Sequence, residues 1–140
     1  MKLHIVNPEQ DTIEGYERVE VLDGNIDLRS YADNECELIL ASDCLNGMSI
    51  EQVHHAIVGI SQKMRLNGRL IIGGLDIRLL ARHIIRGGWS TPEANENIFG
   101  NRSCLEINYT KNLIKSCGLT IDSTRVLGLS YEIEATRKLG

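Results

Sequence analysis

The sequence predicts an α/β fold of the doubly wound kind, a mostly parallel sheet that finishes in an antiparallel hairpin. Three observations predict it. Glu37 to Asp76 reads as a buried strand, an amphipathic helix and a second buried strand in immediate succession. A similar apolar strand, Leu3 to Val6, precedes them, and two alternating segments, Leu119 to Val126 and Leu129 to Ala135, close the chain. Continuous apolar runs imply parallel strands covered on both faces, and such a unit opens a ligand crevice at the carboxyl ends of its strands.

Lys2 to Val6 gives a short first strand, and about ten residues then lead to a second strand-like segment, Arg18 to Leu22. That gap is tight for a full helix, so a loop or a single turn is expected there. Asp23-Gly24-Asn25 is a turn, Ile26 to Leu28 a short third strand, Tyr31 to Glu35 a polar loop, and Glu37 to Ala41 a central fourth strand. Ser49-Ile50-Glu51-Gln52 fits a capping box, in which the Ser49 hydroxyl and the Gln52 side chain satisfy N–H groups that a helix start leaves unpaired. Ile50, Val53, Ile57, Ile60 and Met64 then mark one apolar stripe facing a sheet. Asn67-Gly68 ends this helix, and Arg69 to Gly73 is the fifth strand. Asp76 caps a further helix with Ile77, Leu80, Ala81 and Ile84 inward, stopped at Gly87-Gly88. Trp89 to Arg102 reads as a long connecting loop, and Asn108 caps a last short helix with Leu113, Ile114 and Cys117 inward, ended by Gly118. The terminal hairpin turns at Leu127-Gly128.

At 140 residues the sequence fits one domain, 1–140, large enough to bury roughly two-thirds of its unfolded surface. An apolar content of 42% with 24% charged residues is that of a soluble globular protein; apolar runs of four or five residues cannot cross a bilayer, and an intracellular, cytoplasmic location with no membrane contact is expected. Cys36, Cys44, Cys104 and Cys117 stand singly, without metal-ligand spacing, so no metal is expected; Cys36 and Cys117 read as small buried apolar residues. The net charge of −4 hides an asymmetry: residues 1–48 hold eleven acidic and three basic side chains, residues 49–140 eight acidic and twelve basic. Acidic strand ends suit ribose hydroxyls or a cationic ligand and disfavour nucleic acid, or they simply form a solvated face.

Several stretches together resemble the small class I S-adenosylmethionine-dependent methyltransferases, in particular the short type-11-like proteins. The opening Met1-Lys2-Leu3-His4-Ile5-Val6-Asn7-Pro8 is similar to that family's M-K-L-H-L-G-C-G, and Gly15 to Val21 to its second strand, which ends in an acidic residue. Glu-Leu-Ile-Leu-Ala-Ser-Asp-Cys-Leu-Asn-Gly-Met, residues 37–48, resembles D-L-I-x-A-S-H-V-L-E-H; Met64 to Ile72 resembles V-L-K-P-G-G-x-L-x-I, and Leu113 to Leu119 L-L-x-x-A-G-F. The resemblance covers almost the whole chain and implies a reduced Rossmann-like sheet and, in an intact member, a bound S-adenosylmethionine.

Position by position, the implied cofactor contacts are altered. The family's glycine turn lets backbone approach the cofactor's amino-acid portion, whereas Val6, Asn7 and Pro8 stand here; Pro8 has no N–H and Val6 adds a branched side chain. Glu20 matches the carboxylate that binds both ribose hydroxyls, or is a surface strand residue. Asp27 matches the polar position near the adenine, or caps a turn. After the fourth strand, S-H-x-L-E-H becomes Ser42-Asp43-Cys44-Leu45-Asn46-Gly47; Ser42 keeps a cofactor-side position, and Asp43 is the one candidate general base, or a plain loop residue. Arg78, Arg82 and Arg86 form a basic stripe that faces water, a protein partner or nucleic acid, in that order of preference, while His54-His55 is structural. Two functions follow: a degenerate, pseudoenzyme-like member that serves as a binding or assembly module for a protein partner or in a homo-oligomer, with no cofactor bound, or an active methyltransferase with an altered cofactor loop and an unidentified acceptor.

Overall fold

A computed structural model describes residues 1–139. Its elements are β1 (Lys2–Val6), β2 (Glu17–Glu20), β3 (Cys36–Ala41), α1 (Ile50–Lys63), β4 (Met64–Leu75), α2 (Ile77–Ile85), α3 (Thr91–Phe99), α4 (Ile107–Ser116), β5 (Thr120–Leu127) and β6 (Ser130–Thr136). The six strands form one sheet in the order β2-β1-β3-β4-β6-β5. β2, β1, β3 and β4 run parallel, with Leu3 beside both Glu17 and Ile39, and Ile39 beside Leu70. β6 is antiparallel to β4 and to β5, which makes the terminal hairpin. The chain winds outward in opposite directions from β1 and β3, so the crevice between their carboxyl ends is the switch point of a reduced Rossmann-like α/β fold.

Period-two alternation sorts the strands into two faces. Leu3, Ile5, Ile39, Leu70, Ile72 and Ile133 point to one face and pack in a single core with Val53, Ile57 and Ile60 of α1 and Ile114 of α4. α1 begins as its sequence dictates, with both halves of the Ser49–Gln52 capping box formed. The opposite face carries Lys2, His4, Leu38, Leu40, Arg69, Ile71 and Glu134 by register. Continuous apolar sequence in β3 implied cover on both sides, yet Leu38 and Leu40 are only half-buried. No helix crosses there: the ten residues between β1 and β2 form a loop, which lies over His4 through an Ile13 N–H donated to His4 Nδ1 at 3.2 Å and a Tyr16 ring edge 6.1 Å from the imidazole. The winding is kept although neither the β1–β2 nor the β2–β3 connection contains a helix.

Several boundaries differ from expectation, each for a local reason. Residues 89–102 are not a loop, because Ser90 and Glu93 form a second capping box with Pro92 in the first turn of α3. α1 stops at Lys63, before Asn67-Gly68, because Met64 already pairs with Cys36; Asn67 sits at φ 63° inside β4, with its N–H donated to the Arg137 carbonyl. Ile26 to Leu28 is not a strand, and only an isolated Leu22–Asn25 bridge forms there. The N-cap of α4 is Glu106, two residues before Asn108. Of the four apolar residues expected to bury α2, only Leu80 is buried. In β5 a register shift between Ile121 and Ser123 interrupts the pairing with β6.

Asp76, 3% exposed, joins β4 to two helices at once. Its Oδ1 accepts from the N–H groups of Arg78 and Leu79 at 2.8 and 3.0 Å, and its Oδ2 accepts from Ile107 N–H, the first residue of α4, at 2.9 Å. Three donors that helix starts leave unpaired are met by one carboxylate, which also lies at the positive end of both helix dipoles. Replacing Asp76 by Ala is expected to cost about 2–4 kcal/mol, the sum of one lost N-cap and one further stranded buried N–H, read as a lower urea midpoint at unchanged slope. Asp76→Asn, which keeps one acceptor oxygen, should recover part of the loss.

Candidate functional site

The switch-point crevice is bounded by the residues that follow β1 and β3. Val6 is 1% exposed, so its branched side chain is closed off from solvent. Asn7 spans the crevice, its amide donating to the Asp43 carbonyl at 3.2 Å, while its own N–H is held by Gln10 Oε1 at 2.8 Å and its carbonyl accepts from Gln10 N–H at 2.9 Å. Gly47 makes room for this tie, since a Cβ there would stand 3.3 Å from Asn7 Oδ1. The loop after β1 therefore closes on itself and onto the neighbouring strand end.

Arg18, which alternation alone marks as a plain strand residue, is the anchor of that loop. Its guanidinium donates to the carbonyls of Pro8 and Gln10 at 3.0 and 2.5 Å, to Thr12 Oγ1 at 2.9 Å and to Glu20 Oε1 at 2.9 Å. The fork geometry of a guanidinium suits four acceptors arranged in this way. Sequence reasoning missed it because two of its four partners are backbone carbonyls, which have no residue signature.

Glu20 and Asp27 come together. Both line two adjoining hollows of about 370 and 270 Å³ beside Leu22, next to the carboxyl end of β2. Each is already partnered: Glu20 by Arg18, and Asp27 by Arg29, whose side chain and backbone N–H hold the Asp27 carboxyl at a pKa of about 2. Ser42 sits apart from them, half-buried, its carbonyl 3.0 Å from where a Cβ on Gly73 would stand. Asp43 lies on the exposed rim, and partial burial of its carboxyl raises its pKa with no charged neighbour contributing. An upward shift is the direction that an acid–base carboxyl requires. Asn46, another residue the sequence did not single out, links three segments by accepting from Leu75 N–H on its side chain at 3.0 Å and from Arg102 N–H on its carbonyl at 2.8 Å.

Among the described residues no three side chains converge in a way that could hold a metal ion, and no helix is long and apolar enough to cross a membrane. All four cysteines are free; Cys36 and Cys44 are buried, Cys117 is only half-buried, and burial pushes the Cys44 thiol up to about 12. His54 and His55 are both exposed.

Comparison with solved structures places this geometry. A Pyrococcus horikoshii protein superposes at a TM-score of 0.63 with 17% identity over 89% of this chain and 60% of its own. A SAM-dependent methyltransferase of Methanosarcina mazei superposes at 0.61 with 13% identity over 99% of this chain and 83% of its own. A Haloferax volcanii putative methyltransferase, solved in complex with the Trm112 methyltransferase activator, superposes at 0.62 with 9% identity over 93% and 65%. The chain spans less than two-thirds of the Pyrococcus protein and about a third of a Burkholderia thailandensis O-methyltransferase family protein that it also resembles. No family model and no curated protein matches the sequence. The fold is class I methyltransferase-like.

Burial, and then the positive charge of Arg18, lower the pKa of His4 below its ordinary value near 6.5. Between that lowered value and the unfolded one, the unfolded chain binds more protons, so stability falls as the pH drops through this window. The urea midpoint is expected to decline from pH 7.5 to 5.5 more steeply in the native sequence than in His4→Gln. Equal slopes would show that the contact of His4 with the 7–16 loop does not titrate.

Proposed function

We propose that this class I methyltransferase-like domain, spanning 1–140, is a non-catalytic binding or assembly module for a protein partner, working in the reducing cytoplasm where its free cysteines stay reduced. The observation that carries the reading is the Arg18 network. A turn that wraps the amino-acid portion of S-adenosylmethionine must offer free backbone donors and room. Here the carbonyls of that turn are drawn down onto Arg18, Pro8 has no N–H to offer, and Asn7 is tied across the crevice to Asp43. The two carboxylates that would hold the nucleoside are neutralised by Arg18 and Arg29. These residues do not fit the cofactor, and no methyl-transfer step is derived from them. Pairing with a protein agrees with the Haloferax volcanii neighbour, which was solved bound to another protein.

One observation favours the alternative, an active methyltransferase with a rebuilt loop. The hollows beside Glu20 and Asp27 remain open to a nucleoside-sized group, and methyl transfer depends mainly on positioning acceptor and sulfonium. Asp43 would then be its general base, and Val6, Asn7, Glu20, Asp27 and Ser42 its cofactor contacts.

Titration calorimetry and thermal shift with S-adenosylmethionine and S-adenosylhomocysteine separate the two. A ligand at a hundred times its dissociation constant stabilises a protein by about 2.7 kcal/mol. The module reading expects no heat and no shift at millimolar ligand. Micromolar binding that is weakened tenfold or more by Glu20→Ala would establish the enzyme instead.

A further inference from the structure

α2 turns outward two rows of side chains that its own fold does not use. Ile77, Ala81 and Ile85 recur every four residues, and Arg78, Arg82 and Arg86 follow each of them by one position, so the rows run side by side along the helix for about 12 Å. All six residues are exposed, Ile77 by 52% and Ile85 by 85%, and none belongs to the core. The helix is attached by its other side, where Leu80 is buried and His83 and Ile84 are half-buried. Ile77 and Ala81 also form one lip of a hollow toward α3, but Ile85 and the three arginines of α2 lie outside it.

The two rows make one mixed surface. Arg78 stands three residues before Ala81 and Arg82 three before Ile85, the spacing at which side chains on a helix are neighbours. Arg78 reaches Glu106 at 3.5 Å but stays 75% exposed, and among the described residues Arg82 and Arg86 make no ion pair. A guanidinium pairs with a carboxylate through two parallel hydrogen bonds, so this row calls for carboxylates at its own spacing of about 6 Å. The apolar row beside it is large, small, large, and Ala81 leaves a notch between the two isoleucines.

We infer that the outward ridge of α2 docks into a shallow apolar cleft of a partner protein, bordered along one side by a line of carboxylates. Ile77 and Ile85 enter the cleft as anchors, one partner side chain fills the notch at Ala81, and the carboxylates meet the Arg78–Arg82–Arg86 row. A lipid surface fits this ridge less well, because Ala81 adds almost no apolar area where a helix lying on a membrane carries a large side chain. An anionic plane wide enough to face the whole domain would also repel a chain of net charge −4, whereas a cleft touches the ridge alone. This rests on the partner-binding reading and gives the partner its chemistry.

The probe is a fluorescein-labelled synthetic helical hairpin, two antiparallel helices of about sixteen residues each with a leucine-lined cleft between them and Glu every four residues along one rim. Its twin carries Lys in place of Glu. The Glu hairpin is expected to bind by fluorescence anisotropy, with the Lys twin weaker by about tenfold or more. Ile85→Gln should weaken binding of the Glu hairpin by about as much, and the double variant Arg82→Glu/Arg86→Glu should reverse the preference between the twins. Ile98→Gln, on the far wall of the neighbouring hollow, should change nothing. All of these positions are exposed, so circular dichroism should stay that of the native chain. Equal affinity for the twins, indifference to Ile85→Gln or to the charge reversal, loss of binding through Ile98→Gln, no binding at millimolar hairpin, or binding only to vesicles of anionic phosphatidylglycerol would overturn the inference. Calorimetry with S-adenosylmethionine keeps the readings apart: cofactor binding sinks the non-catalytic reading alone, and failure of the hairpin without cofactor binding sinks the docking ridge alone.

Discussion

The carboxylate of Asp76 sits where β4 ends and two helices begin, and the C-terminal half of the molecule is arranged around that convergence. A strand end, the start of α2 and the start of α4 must all approach within hydrogen-bond distance of two oxygens. Once they do, α4 is aligned over the sheet, Thr110 meets the Tyr131 hydroxyl at 2.7 Å in the buried layer beneath, and α2 is directed away from the core. The backbone must come close for this to happen. A Cβ on Gly73 would stand 1.9 Å from the Tyr131 carbonyl, so only glycine lets β4 lie against β6 there.

A second constraint, centred on an arginine, governs the other half. A crossover helix between parallel strands satisfies its own backbone, whereas a ten-residue loop must find partners elsewhere. Arg18 supplies them with three donors to the loop, and His4 accepts a fourth contact from Ile13. The missing helix and the closed turn are therefore one adaptation. A short connection survives over the sheet because a charged side chain does the work that helical hydrogen bonds would have done.

Much of this was legible in the residues. The apolar runs of β1, β3 and β4, the Ser49 capping box, the Asp76 cap and the terminal hairpin are each set by local pattern, and the sheet order follows once the strands are placed. Where reading failed, a non-local partner or an outweighed local signal was responsible. Ser90-x-x-Glu93 starts a helix, but the Asn- and Gly-rich composition around it masked that signal. Asn67-Gly68 looks like a helix stop, but β3 pairing claims the preceding residues first. In the candidate site, the pairing of Glu20 and Asp27 with arginines depends on Arg18 and Arg29 two residues away, and the sequence alone does not say whether such neighbours fold back.

The interrupted register in β5 has a consequence for how this molecule can associate. An outermost strand with regular pairing would offer unused N–H and C=O groups to a neighbour's strand. Here the bulge beside Asp122, with Thr136 and Lys138 gathered onto its carboxylate, twists and charges that margin, and at the other margin β2 is only four residues long. Extension of the sheet from copy to copy is discouraged by the bulge at one rim and by the shortness of the strand at the other.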